Sequence, residues 1–137
     1  IKIYRINLLM DKILSFAMLG SNDFKKSSKL YDNIFEPLKI KKIVITENYV
    51  GYGHFNEPNE VKFYLCKPHN GEPATNGNGT MIAFLAGTKD AVNQFHKIAL
   101  ENGAADEGPP GIRSDGNYYA YVRDFDGNKI AAKFISN

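Results

Sequence analysis

Residues 117–134 read NYYAYVRDFDGNKIAAKF, and this stretch decides how the chain folds. Tyr118, Tyr119, Tyr121 and Val122 are aromatic or β-branched residues that suit a pleated, half-buried surface, and Ile130 to Phe134 resumes the pattern after a break. The break holds Asp124, Asp126, Gly127 and Asn128. Short polar side chains that bond their own backbone, with a glycine free to take positive φ, predict a turn, so the two runs fold back as a hairpin.

Working backwards from the hairpin, Ala104 to Glu107 reads as a weak strand and Gly108 to Asp115 as a Pro/Gly loop. Ala91, Val92, Phe95, Ile98 and Ala99 recur at helical spacing behind a Thr88 N-cap, with Gly103 as the stop. Met81 to Ala86 is an apolar strand, and KPHNGEPATNGNGT, Lys67 to Thr80, is a Gly/Pro/Asn connector without apolar periodicity. The same order is already present upstream. Ile13 to Leu19 is a strand, Phe24, Ser27, Leu30, Tyr31 and Ile34 mark a helix capped by Asn22 or Asp23 and ended near Pro37, and Ile40 to Thr46, Tyr49 to Phe55 and Val61 to Cys66 are three further strands. Both halves thus read β-α-β-β-β, a repeat displaced by about 65 residues, in which neither half covers both faces of a sheet by itself.

The 137 residues, 43% of them hydrophobic, suffice for one packed core. We expect a single domain at 10–137, with module one at about 12–66, a connector at 67–79 and module two at 80–137. Residues 1–9, which precede Met10, are expected to be an N-terminal extension or an added edge strand. Cys66 is the only cysteine, so no internal disulfide forms and a reducing compartment, the cytoplasm, is expected; inside an apolar run the thiol reads as a buried one. The net charge is +2, too mild to imply nucleic acid or an anionic membrane as partner. Residues 1–43 carry a net +5 and the rest −3, but the lysines responsible fall at exposed helix and turn positions without interleaved aromatics, as on a solvated face. No apolar run is long enough to span a bilayer.

The run Gly77-Asn78-Gly79-Thr80 ahead of a strand, the helix with Phe95-His96, and Tyr118-Tyr119-Ala120 leading into Asp124-Phe125-Asp126-Gly127-Asn128-Lys129-Ile130 resemble the vicinal oxygen chelate superfamily of glyoxalase, bleomycin-resistance and extradiol dioxygenase proteins. The resemblance runs from about Ile13 to the end. It implies an α+β fold in which two βαβββ modules form a cupped mixed sheet with helices outside, commonly as a homodimer. It also implies where a metal would be held. Those positions carry Phe16, Met81, Ala131 and, at the end of module one, Tyr64 or Leu65. A divalent ion needs several N, O or S donors at about 2.0 to 2.6 Å, which these side chains do not supply, so no metal and no cofactor is expected.

Alternation from those positions turns Phe16, Met18, Met81, Ala83, Lys129, Ala131 and Lys133 into the cup, and Ile82, Phe84, Ile130, Ala132 and Phe134 toward the helices. Tyr119 and Tyr121 share one face, which the resemblance makes the cavity face. Arg113 stands where close relatives have an arginine. The expected ligand-binding set is Phe16, Met18, His54, Met81, Arg113, Tyr119, Tyr121 and Lys133, for a small molecule that is anionic where Arg113 anchors it. His96, on the second helix, is read as a surface residue, and His69 falls in the connector. A second reading is a glyoxalase-like lyase or isomerase using His54, Tyr119 or Lys133 as acid or base. Sequestration of a cationic drug would call for an acidic groove, which the basic balance disfavours.

Overall fold

The computed structural model describes residues 13–136; the extension read at 1–9 and the start at Met10 lie outside the described residues. The order is β1 (Ala17–Gly20), α1 (Phe24–Phe35), a 3-10 turn (Glu36–Leu38), β2 (Ile40–Ile45), β3 (Tyr49–His54), β4 (Phe63–Cys66), β5 (Met81–Leu85), α2 (Lys89–Glu101), β6 (Ala105–Ile112), β7 (Tyr118–Arg123) and β8 (Lys129–Phe134). Two four-stranded mixed sheets result, ordered β1-β4-β3-β2 and β5-β8-β7-β6. In each, the first strand of the module runs parallel to the last, and the other pairs are antiparallel. This is the α+β architecture of two βαβββ modules.

Local chemistry explains the helices. Asp23 caps α1 by accepting from the Lys26 N–H at 3.2 Å, and Thr88 caps α2 by accepting from Ala91 N–H at 3.0 Å. The chain leaves the 3-10 turn through Lys39 in the left-handed region (φ 59°), and leaves α2 through Gly103 (φ 93°), where absence of a Cβ removes the strain. Leu30, Tyr31, Ile34 and Phe35 of α1 and Val92, Phe95 and Ala99 of α2 are buried against the convex faces of the sheets. Phe35 is the hub. Its ring lies 5.4 Å from Tyr31, 5.0 Å from Tyr52, 5.6 Å from Phe63 and 4.8 Å from Phe84, so one side chain joins α1 to both sheets.

Three boundaries differ from the expectation by more than one residue. β1 begins at Ala17 rather than Ile13, because pairing starts where the Ala17 N–H reaches Lys62 O at 3.0 Å, opposite Phe63. Ile13 and Leu14 are exposed. β4 likewise starts at Phe63. The predicted Gly108 to Asp115 loop is mostly strand: β6 continues through Pro109 and Pro110 to Ile112, with register shifts between Asp106 and Gly108 and between Gly108 and Gly111. Proline removes a ladder donor, yet β6 is the outer strand of its sheet and its irregular pairing absorbs the loss.

The β7–β8 turn ties the modules together. Asp124 is buried and accepts from Tyr31 Oη at 2.7 Å, Asn128 Nδ2 at 2.9 Å, and the Asp126 and Asn128 N–H groups, both at 2.9 Å. Burial pushes its carboxyl above the ordinary carboxylate range, while the four donors work in the opposite direction. Asn128 Nδ2 also donates to Gly20 O at 3.0 Å, and Asp126 accepts from the Asn22 N–H at 2.8 Å and Ser27 Oγ at 3.3 Å. The turn of module two is thereby clamped onto the end of β1 and the start of α1.

Candidate functional site

Register settles which side chains share the concave faces. Met18 pairs with Tyr64, and Met81, Ala83 and Leu85 pair in parallel with Lys129, Ala131 and Lys133, so these residues point away from the helices. Phe16 stands edge-on to Tyr64 at 5.1 Å, and Tyr49 joins it at 5.6 Å. This face is open in the single chain: Phe16 is 51%, Met18 48%, Met81 43% and Leu85 66% exposed. Ile82, Phe84, Ile130, Ala132 and Phe134 occupy the opposite face and join the core.

On the second sheet the concave face is aromatic and basic. Tyr119 and Tyr121 lie two apart on β7, and their rings stack nearly parallel, 6° between planes with centroids 5.6 Å apart. Lys133 Nζ lies 5.5 Å from the Tyr119 centroid; Lys129 Nζ and the Arg113 guanidinium carbon lie 5.2 and 5.3 Å from that of Tyr121. Arg113 can fold back over β6 because two of its residues lack side chains. A Cβ on Gly108 would stand 2.8 Å from Tyr121 Cδ2, and one on Gly111 would stand 2.9 Å from Arg113 Nη1. The guanidinium donates to Pro109 O at 2.6 Å.

The carboxylates nearby are committed elsewhere. Asp115 accepts from Tyr119 Oη at 2.6 Å, and that bond, with the Asn117 N–H, holds its carboxyl below the ordinary range. Glu107 is ion-paired with Arg123 at 3.1 Å, and the Arg123 hydrogen bond lowers its pKa in the same sense. Among the described residues, Arg113, Lys129 and Lys133 form no ion pair with a carboxylate.

The positions at which the family resemblance implies metal ligands hold Phe16, Tyr64, Met81 and Ala131, and among the described residues no three His, Cys, Asp or Glu side chains converge. The donor set does not fit a divalent ion.

Of the expected ligand-binding set, Phe16, Met18 and Met81 share the apolar concave surface, and Arg113, Tyr119, Tyr121 and Lys133 share the basic one. His54 is not with them. It ends β3 on the same side as Val50 and Tyr52, which are core residues, and lines a cavity at the junction of the two sheets. His96 corrects the surface reading: it is only 9% exposed, and Nε2 meets Asp106 Oδ1 at 2.9 Å, so the ring braces α2 against β6 on the convex side. Cys66 is half-buried rather than fully enclosed, and desolvation pushes its thiol up. Lys129, Tyr49 and Tyr64 were left out of the expected set. Lys129 had a signal, since it is four residues from Lys133 on one strand and therefore on the same face.

A fold of two βαβββ modules, with a concave face lacking the usual donors, defines the class. The family model of the Glyoxalase/Bleomycin resistance protein/Dioxygenase superfamily matches residues 12–132, and the chain belongs to that superfamily. Among solved structures, a glyoxalase/bleomycin resistance protein from Albidiferax ferrireducens T118 is 36% identical, with a TM-score of 0.82 over 91% of this chain and 100% of its own. A lactoylglutathione lyase from Agrobacterium tumefaciens (17% identical, TM-score 0.63, 90% and 92% covered) and a fosfomycin resistance protein from Mesorhizobium loti (12%, 0.64, 91% and 93%) share the fold. Comparison with proteins of curated function finds no match.

Proposed function

We propose that this chain is a metal-independent small-molecule-binding member of its superfamily, taking an anionic ligand with a flat, unsaturated body on the concave face of the second sheet. The observation that carries this reading is the Tyr119–Tyr121 stack ringed by Arg113, Lys129 and Lys133, three cations that form no direct ion pair with a carboxylate among the described residues. Ring faces supply contact area, and the planar guanidinium suits a carboxylate or phosphate edge. Phe16, Met18 and Met81 extend the apolar part of the surface. The single thiol fits a reducing compartment, the cytoplasm, and no helix among the described residues is long and apolar enough to cross a membrane.

A panel of aromatic carboxylates and phosphates, titrated calorimetrically, tests this. Arg113→Ala is expected to weaken the tightest member by about 1.5 to 3 kcal/mol, the usual worth of a hydrogen bond to a charged group. Equal affinity in the variant would remove the anchor. The same panel includes the hemithioacetal of a 2-oxoaldehyde and a thiol, which is expected to bind without conversion. Turnover would instead favour the lyase or isomerase reading, with Tyr119 or Lys133 as the proton-transfer group.

Metal content is a second test. After dialysis against Zn²⁺, Ni²⁺, Fe²⁺ or Mn²⁺, elemental analysis is expected to find well under one ion per chain, with Cu(I) included because methionine sulfur is a soft ligand. A stoichiometric ion lost on substituting His54 would show a site rebuilt from other residues.

The exposed apolar side chains of the concave faces also point to pairing of two copies, in which each covers the other's open surface. Sedimentation at micromolar concentration is expected to give a homodimer. A monomer that persists at high concentration would mean that the face is closed by ligand alone.

A further inference from the structure

The seam where the two sheets meet is unequal at its two ends, and the open end holds a cavity. At the Gly20 end, the Asp124–Asn128 turn closes the junction with side-chain hydrogen bonds. At the other end, where the chain enters β1 and β5 finishes, no such clamp exists among the described residues. A cavity of about 440 Å³ opens there, walled by Leu14, Phe16, Tyr52, His54, Phe84 and Leu85. Tyr52 and Phe84 belong to the convex faces and Phe16, Ala83 and Leu85 to the concave ones, so this space spans the seam; Tyr119, Tyr121, Arg113, Lys129 and Lys133 do not line it. Its size is that of a small-molecule pocket.

The polar side chains in its wall are Ser15, Tyr52, His54 and Lys62, and the last three have partners. Lys62 is ion-paired with Glu60, which cancels its charge. Tyr52 Oη is spent on Asp32 Oδ1 at 3.0 Å and Ser28 O at 3.4 Å. His54 Nδ1 accepts from the Asn56 N–H at 3.2 Å. In a neutral imidazole, an accepting Nδ1 places the proton on Nε2, which is then a donor. Among the described residues nothing accepts from it. A mainly apolar wall whose unspent side-chain donors are the His54 Nε2–H and the Ser15 hydroxyl disfavours ions and selects an oxygen acceptor.

We propose that this cavity is a second binding site, for an uncharged, mainly apolar molecule bearing one carbonyl-type oxygen that accepts from His54 Nε2. A neighbouring cavity of about 500 Å³ shares His54 and Leu85 and adds Lys39, Asn56 and Thr88, so the oxygen-bearing end of the ligand points toward a more polar space. The cavity borders the anion site through Phe16, but none of that site's cations or tyrosines lines it.

The probe is 6-propionyl-2-(dimethylamino)naphthalene, a flat neutral ketone whose emission moves to the blue on leaving water. Full-length protein is expected to give a saturable blue shift with one probe per chain. His54→Phe keeps the ring and removes the donor, and is expected to raise Kd roughly three- to tenfold, the range of one neutral hydrogen bond. Ala83→Phe fills the cavity from an exposed lining position and is expected to abolish the shift, while its thermal melt shows that the fold survives. Arg113→Ala is expected to leave the shift unchanged. No saturable shift, an unaltered Kd in His54→Phe, or loss of the shift in Arg113→Ala would each overturn the proposal; the last would place the probe on the concave face.

Discussion

Replacing Phe35 with alanine is expected to cost about 3–5 kcal/mol, the range for truncating a buried phenylalanine, and to lower the melting temperature by roughly 10–15 °C. The figure belongs at the upper end. Phe35 is fully buried and touches four rings from α1, both strands β3 and β4 of the first sheet, and β5 of the second. Those rings are held by their own helix or strands and cannot close in on the void. Phe35→Leu, which keeps most of the volume, is expected to recover more than half of the loss. Thermal or urea unfolding checks both, and a loss below about 1 kcal/mol in Phe35→Ala would show that the core is not organised around this ring.

Asp124→Asn is the second large effect, at about 2–4 kcal/mol, because the change turns one acceptor into a donor among groups that all donate. Tyr31 Oη, Asn128 Nδ2 and two backbone N–H groups converge on the Asp124 carboxyl, and one of them would face an NH₂. The cost carries a pH signature. Burial raises the native carboxyl pKa above its unfolded value, so the native state binds the proton more tightly; the associated stability is fully present below the unfolded pKa and is lost as pH rises through the raised native one. The asparagine variant lacks this dependence. The gap between parent and variant is therefore expected to be widest in acid and to narrow as pH rises toward neutral. A gap that widens with rising pH would show that the four donors, rather than burial, set the native pKa.

The repeat, the helix faces and the strand alternation were legible because each rests on local rules: caps at Asp23 and Thr88, a positive-φ stop at Gly103, and a period of two along β5 and β8. Alternation, propagated from the positions the resemblance supplied, turned Met81 and Lys133 one way and Ile82 and Ile130 the other. What local rules missed depends on neighbours. β6 was cut short at Glu107 because Pro109 and Pro110 argue against a strand, and only its place on the outside of the sheet makes them tolerable. His54 falls within a β3 correctly marked out, but whether a strand's terminal residue faces the cup or the seam depends on how the modules dock. The burial of His96 required knowing that Asp106 lies across from α2. Lys129 was readable as a cup-facing residue, yet its closeness to Tyr121 follows from the pairing of β7 with β8, which brings residues from 121 to 131 together.

The prolines of β6 also govern what the second sheet can join. An outer strand with a full row of unpaired N–H groups is a template for further strands, and stacking of that kind has no natural end. Pro109 and Pro110 have no N–H, and the shifts around Gly108 break the spacing of the groups that remain. On the first sheet β2, one of its two outer strands, has Lys41 exposed, and a bulge between Lys42 and Val44 interrupts the row. The β2 and β6 edges are thus poor nuclei for fibril growth. Edge-to-edge strand addition is thereby disfavoured at β2 and β6, which leaves the side chains of the sheet faces, rather than backbone N–H groups, as the chain's means of contact with other molecules.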